Sequence, residues 1–145
     1  MGKYLVVAHQ TASSPELLAK LKEIAGEDAD ADFVLLVPAT RPEHLAAWVE
    51  GEARATAERT ADQAKEVFEK NGLSVSRTAV GDEAPVEAVR DELRENPAHY
   101  DAIVVSTLPL GISRWLGLDV PHQLQRRFEI PVVHVAAAAK TRASR

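Results

Sequence analysis

The 145-residue sequence contains no cysteine, which excludes disulfides, thiolate metal sites and cysteine nucleophiles. A protein without cysteine fits a reducing compartment, and we expect a cytoplasmic location. No apolar run approaches the roughly 20 residues that span a bilayer, so no membrane partner is expected. The opening residues, from Met1 to Tyr4, lead directly into an apolar strand, which is not the pattern of a signal peptide.

An excess of basic charge is also missing. The net charge of −5 gives no general attraction to nucleic acid, so no nucleic-acid partner is expected. Basic residues gather only in a tail from about residue 137 (Lys140, Arg142 and Arg145), and a frayed, solvated terminus is the simplest interpretation of it. The length predicts one domain over residues 1–145, long enough to bury a core without disulfides.

Short apolar segments alternate along the chain with segments of helical spacing. This alternation predicts parallel strands joined by right-handed helical crossovers. The predicted fold class is therefore α/β, a five-stranded parallel doubly wound sandwich of Rossmann-like type. Strands are predicted at Lys3–Ala8, Phe33–Val37, Ala102–Val105 and Ile130–Val135, and the apolar runs at Phe33–Val37 and Ala102–Val105 indicate buried strands. An edge strand is predicted at Leu73–Val80, where apolar and polar residues alternate.

Start and stop signals divide the rest of the chain into helices. Ser14 followed by Pro15 predicts the start of the first helix, and Gly26 its end. A long helical region is predicted from about Pro42 to Asn71, with a possible break at Gly51. Residues 42–52 of this region, which include Trp48, form a candidate lid. Further helices are predicted between Gly81-Asp82 and Asn96-Pro97, and from Asp119 to about Glu129.

Polar residues follow the strand at Ala102–Val105 and indicate a binding site. Ligands of open α/β sheets lie at the carboxyl ends of strands, where the strand order reverses. Hydroxyls, a glycine, an arginine and a helix start occur together here, and this is the local chemistry of an anion site. If the first and fourth strands are neighbours, one cleft is lined by His9, Thr11, Ser13, Ser106, Thr107, Gly111, Ser113, Arg114 and His122. The expected ligand is a small anion, with ATP or another phosphorylated small molecule as candidates.

Structural roles are the alternative for the same residues. Ser13 and Ser14 can cap the first helix, Asp119 can cap the last helix, and the histidines can be half-exposed loop residues. Arg114 is either a phosphate ligand or the ion-pair partner of Asp119. His134, in the last strand, is expected in an interface or core role.

Two chemical alternatives are weaker. A metal site from His9, Asp119 and His122 lacks the tight ligand spacing of known sites, so no metal is predicted. A hydrolase with Ser106 as nucleophile and a histidine as base lacks a G-x-S-x-G elbow and an orienting acid. We therefore predict no catalytic residues.

Three stretches of the chain resemble the universal stress protein family. The first is the GDxxPxEAV pattern of Gly81–Val89, which feeds DAIVVST at Asp101–Thr107. The second is the loop and helix after Ser106, which end in IPVVHV at Ile130–Val135. The third is the opening KYLVVAHQT, followed by a helix. Together they cover nearly the whole chain.

The resemblance implies more than the residues alone predict. It implies the strand order 3-2-1-4-5, with the first and fourth strands at the switch point. It also implies a homodimer, formed through the last strand at Ile130–Val135. The run SRWLGLDVPHQL looks like a narrower, actinobacterial-type branch of the family.

Departures from the family pattern imply a degenerate site. ATP-binding members have an Asp at the end of the first strand, where this chain has His9. Their G-x2-G-x9-G-[S/T] loop falls here on Ser106, Pro109, Asp119 and Val120, so none of its glycines is kept. Glycine lets backbone approach phosphate closely, and Pro109 has no N–H to donate. The expected function is a non-enzymatic binding or sensing module with a degenerate nucleotide or anion site. The alternative is a dimeric interaction protein that binds no nucleotide.

Overall fold

Five parallel strands form one sheet with helices on both faces. The computed structural model describes residues 2–9, 11–39, 50–108, 114–117 and 119–137, without the side chains of residues 50, 51, 114 and 117. The strands are β1 (Lys3–Val7), β2 (Asp32–Pro38), β3 (Ser74–Gly81), β4 (Ala102–Thr107) and β5 (Val132–Ala136). The helices are α1 (Pro15–Glu27), α2 (Glu50–Lys70), α3 (Pro85–Glu95), α4 (Arg114–Gly117) and α5 (Val120–Phe128).

The strand order is β3-β2-β1-β4-β5, which confirms the expected fold class and order. The chain first builds outward from β1 to β3, then returns to the other side of β1 and builds outward through β4 and β5. The order therefore reverses between β1 and β4, which pair in parallel from Tyr4↔Ala102 to Val7↔Val105. This reversal places the carboxyl ends of β1 and β4 next to each other.

The core lies on both faces of the sheet because side chains alternate along each strand. On one face, Val6 packs with residues of α1 and α2, among them Leu17 and Phe68. On the other face, Leu5 and Val7 pack with α3 and α5. Ile103, Val104 and Val105 of β4 are fully buried, as the unbroken apolar run predicts, and so are Leu5, Val6 and Val7 of β1.

Most helix ends follow the sequence signals. Ser14 caps α1, and its Oγ accepts a hydrogen bond from the backbone N–H of Leu17 at 3.2 Å. Gly72, after α2, has φ +82°, a left-handed conformation that favours glycine. Gly51 lies in the described part of α2, from Glu50 onward. The predicted break between this part and the residues before it is not tested, because those residues are not described. The remainder of the candidate lid, up to residue 49, lies outside the described residues.

Candidate functional site

The loop after β1 touches the end of β4 at the switch point. The Thr11 and Ser106 hydroxyl oxygens lie 2.5 Å apart across 95 residues of sequence, and Ser106 Oγ also lies 3.4 Å from the Thr11 carbonyl oxygen. Two turns fold the loop onto the sheet: the Ala12 N–H donates to the His9 carbonyl, and the Ser14 N–H donates to the Thr11 carbonyl. The first and fourth strands are thus neighbours, as the predicted cleft requires.

The hydroxyls at this junction are buried and bonded within the chain. Thr11 is 5% exposed, Ser106 1% and Thr107 2%. The strand was expected to end at Val105, but β4 continues through Ser106 and Thr107 because both residues pair with β5. Since their hydroxyls already have partners, these side chains form the inner wall of the junction and fix its backbone.

His9, at the exit of β1, is the unsatisfied polar group of the junction. Its Nδ1 is buried and has no hydrogen-bond partner among the described residues. Burial lowers the pKa of His9 below its ordinary value of 6.5, so the ring is neutral near pH 7. A neutral imidazole offers one donor and one acceptor, whereas the Asp of the family pattern only accepts.

Asp119, just before α5, keeps a glycine-like backbone without being glycine. Its φ of 56° and ψ of 41° are left-handed, and Asp is among the residues enriched in that region. Asp119 occupies the N-cap position, but among the described residues its side chain makes no capping bond, so the predicted side-chain cap is wrong. Instead its Oδ2 lies 3.3 Å from Nδ1 of His122, and both side chains are exposed.

The remaining predicted site residues are described to different extents. Ser13 is exposed at the surface, one residue before the cap of α1. Gly111 and Ser113 lie outside the described residues. Arg114 begins α4, but its side chain is not described, so neither its phosphate role nor its pairing with Asp119 is tested. The structure therefore brings Thr11 and Ser106 together and leaves the other predicted contacts open.

One contact at the junction was missed by the sequence analysis. The Thr107 hydroxyl lies 2.8 Å from Nε2 of His134 on β5, which was expected in an interface or core role. No local sequence pattern signals this pair, because the residues meet only through the register of β4 and β5, in which Val105 lies opposite His134.

The described residues give no geometry for the two chemical alternatives. They contain no group of three or more His, Asp or Glu side chains that could hold a metal ion, so His9, Asp119 and His122 form no such group. Ser106 contacts Thr11 rather than a histidine in this part of the chain. Among the described helices, none has the length and apolar character needed to cross a membrane.

Solved structures with a similar architecture include universal stress proteins. No protein-family model matches the sequence, and no curated protein matches it either. A universal stress protein family member from Burkholderia pseudomallei superposes with a TM-score of 0.62 at 19% identity over 92% of this chain and 94% of that one. The Archaeoglobus fulgidus universal stress protein in complex with dAMP gives 0.60 at 16% identity over 93% and 97%.

A third structure extends the likeness to plants. The universal stress protein family protein from Arabidopsis thaliana with AMP bound gives a TM-score of 0.59 at 17% identity over 99% of this chain and 97% of that one. Likeness at such low identity shows the fold, and at that level the family resemblance of the sequence is confirmed.

Proposed function

We propose that this chain, which has the fold of the universal stress proteins, is a non-enzymatic binding or sensing module for a nucleotide-type ligand. The contact between Thr11 and Ser106 carries the proposal, because it joins the carboxyl ends of β1 and β4 at the point where open α/β sheets hold ligands. The Nδ1 of His9, which has no hydrogen-bond partner in the part of the chain that the structure describes, supplies a polar atom there. The dAMP and AMP bound by the two related structures support a ligand of this class.

We further propose that the site is degenerate, and that it binds a nucleotide with one phosphate more tightly than a nucleotide with three. The start of α5 favours an anion through its free N–H groups, but the exposed carboxylate of Asp119 lies at the same helix end and repels phosphate. His122, 3.3 Å away, offsets that charge only when it is protonated. AMP should therefore bind more tightly than ATP.

Isothermal titration calorimetry with AMP and ATP tests this function. Asp119→Asn is the informative variant, since asparagine also adopts the left-handed conformation and removes only the charge. The variant should gain affinity for ATP more than for AMP. Asp91→Asn on α3 is the matched control, because Asp91 makes an exposed ion pair of its own with Arg94. Absence of binding by AMP, ATP and cyclic nucleotides would exclude the proposed ligand class.

The edge strand β5 supports a second candidate, a dimeric interaction protein. Ile103 N–H donates to the Pro131 carbonyl and Ala137 N–H to the Thr107 carbonyl. In a parallel ladder this alternation points the backbone groups of Val132, His134 and Ala136 away from β4. The strand has no Lys, Pro or bulge to discourage pairing, which favours a homodimer through it.

Sedimentation equilibrium separates the two candidates. A dimer that binds no nucleotide would support the interaction protein, and a monomer at high concentration would exclude it. A cytoplasmic, stress-related role of the whole 145-residue domain belongs to the first proposal, and the absence of cysteine supports the location.

A further inference from the structure

The hydroxyl of Thr107 joins the outer strand of the sheet to the peptide at which β4 ends. Its Oγ1 lies 2.8 Å from the Leu108 carbonyl oxygen and 2.8 Å from Nε2 of His134. A threonine hydroxyl has one proton, and a carbonyl oxygen can only accept. The proton of Thr107 is therefore directed to Leu108, and Nε2 of His134 must donate to Thr107. This assigns the Nε2–H tautomer to neutral His134.

The same bond persists when the ring is charged. Protonation adds a hydrogen to Nδ1 and leaves Nε2–H in place. Desolvation of the ring lowers the pKa of His134, so the neutral tautomer is the main form near pH 7. The link from β5 to Leu108 thus does not depend on the protonation state of His134.

We infer that His134 is a positioning residue for the ligand site, because its Nε2–H orients the Thr107 hydroxyl onto the Leu108 carbonyl and so fixes the end of β4. The inference rests on the proposed function, since Leu108 lies two residues after Ser106, which meets Thr11 at the switch point. Backbone pairing holds the preceding peptide, because the Ala137 N–H donates to the Thr107 carbonyl at 2.9 Å. Loss of the imidazole removes the side-chain bond to Thr107 and leaves the backbone pairing in place.

Calorimetry with AMP on substituted chains tests the effect on binding. His134→Ala and Thr107→Val should each weaken AMP binding about three- to tenfold, the worth of one hydrogen bond. Their effects should not add in the double variant, since both remove the same link. His134→Gln should stay within about twofold of the unchanged chain, because its side-chain amide can donate from nearly the same place. The control is His99→Ala, an 89% exposed histidine before the amino end of β4, which should leave AMP binding unchanged.

Nitrogen-15 NMR separates failure of this inference from failure of the proposed function. His134 should show the Nε2–H tautomer, and His134→Ala should shift the backbone amides of Ser106 and Leu108. A Nδ1–H tautomer, or unshifted amides, overturns the positioning role whether or not AMP binds. If the amides shift but the unchanged chain binds no AMP, the link between β5 and β4 is supported and the proposed nucleotide site is refuted. Equal AMP affinity in His134→Ala, despite shifted amides, also overturns the positioning role.

Discussion

The two edge strands of the sheet, β3 and β5, differ in their backbone regularity and in their charged side chains. On β3, Ser76 is an extra residue where the register shifts opposite Phe33 and Val34. The Ser76 hydroxyl donates to Asp32 at 2.6 Å, and Arg77 makes a two-bond ion pair with Glu92. β5 has neither device: it pairs with β4 without a shift, and its one ionisable side chain is His134.

Bulges and charges are means by which natural sheets prevent a further strand from adding. By this measure β3 is protected, whereas β5 presents outward-facing backbone groups and partly buried valines. The difference indicates that a further strand would add beside β5 rather than beside β3. Four experiments test this difference between the two edges.

Ala136→Pro should have the largest effect, on association alone. The N–H of Ala136 points away from β4, so proline removes a group that only an added strand would use. Dimerisation should weaken by about 3 kcal/mol, roughly a hundredfold in the dimer Kd measured by sedimentation, because each of the two copies loses a hydrogen bond of up to about 1.5 kcal/mol. Val135→Pro is the control, since it breaks a bond to β4 and should destabilise the folded chain instead. An unchanged dimer in Ala136→Pro would contradict pairing through β5.

Arg77→Ala should be next, and should act on folding alone. Glu92 is 5% exposed, so losing Arg77 leaves a buried carboxylate without its partner. Removing one member of a buried pair costs several kcal/mol, but the Arg77 side chain is 36% exposed and water can replace part of it. We expect a loss of about 2 kcal/mol in the free energy of unfolding by urea denaturation. Arg94→Ala, whose side chain is 64% exposed, should change it by under about 0.5 kcal/mol.

Thr11→Val probes the centre of the sheet and should lower stability without changing association. It removes one hydroxyl of a buried pair and leaves Ser106, among the described residues, with the 3.4 Å contact to the Thr11 carbonyl. The expected loss is about 1 kcal/mol in the unfolding free energy. The double variant Thr11→Val with Ser106→Ala should recover most of that loss, because no polar group is left unpaired. A double variant as unstable as the sum of the singles would disprove a direct bond.

The smallest expected effect is on the pH dependence of folding stability, to which β5 contributes a histidine and β3 does not. Burial of His9 and partial desolvation of the more exposed His134 lower the folded-state pKa of both rings below 6.5. Below that pH the unfolded chain therefore binds more protons than the folded one. Stability should therefore fall as pH drops through 6.5 toward the lowered values. His134→Gln and His9→Asn should each reduce this slope, as followed by denaturation at several pH values. A slope of opposite sign would refute the assignment, and β3 contributes nothing to it because it has no histidine.

Local patterns predicted the architecture because they encode burial and turns. The apolar run before Val105 could only be a covered strand, and Ser14-Pro15 and Gly72 carried their own start and stop signals. The candidate site was less predictable from the same residues. Thr11 and Ser106 were placed in one cleft through the expected strand order, yet nothing local showed that their hydroxyls bond each other.

Residue patterns were enough to predict the five-stranded parallel sheet, and the family resemblance supplied the strand order and the position of the switch point. Three features became visible only in the folded chain: the left-handed backbone of Asp119 beside His122, the continuation of β4 through Ser106 and Thr107, and the contact of Thr107 with His134. The two sets differ in the sequence separation over which the interactions act. Periodicity and capping act within a few residues, whereas a hydroxyl's partner depends on which distant strand lies beside it and in which register.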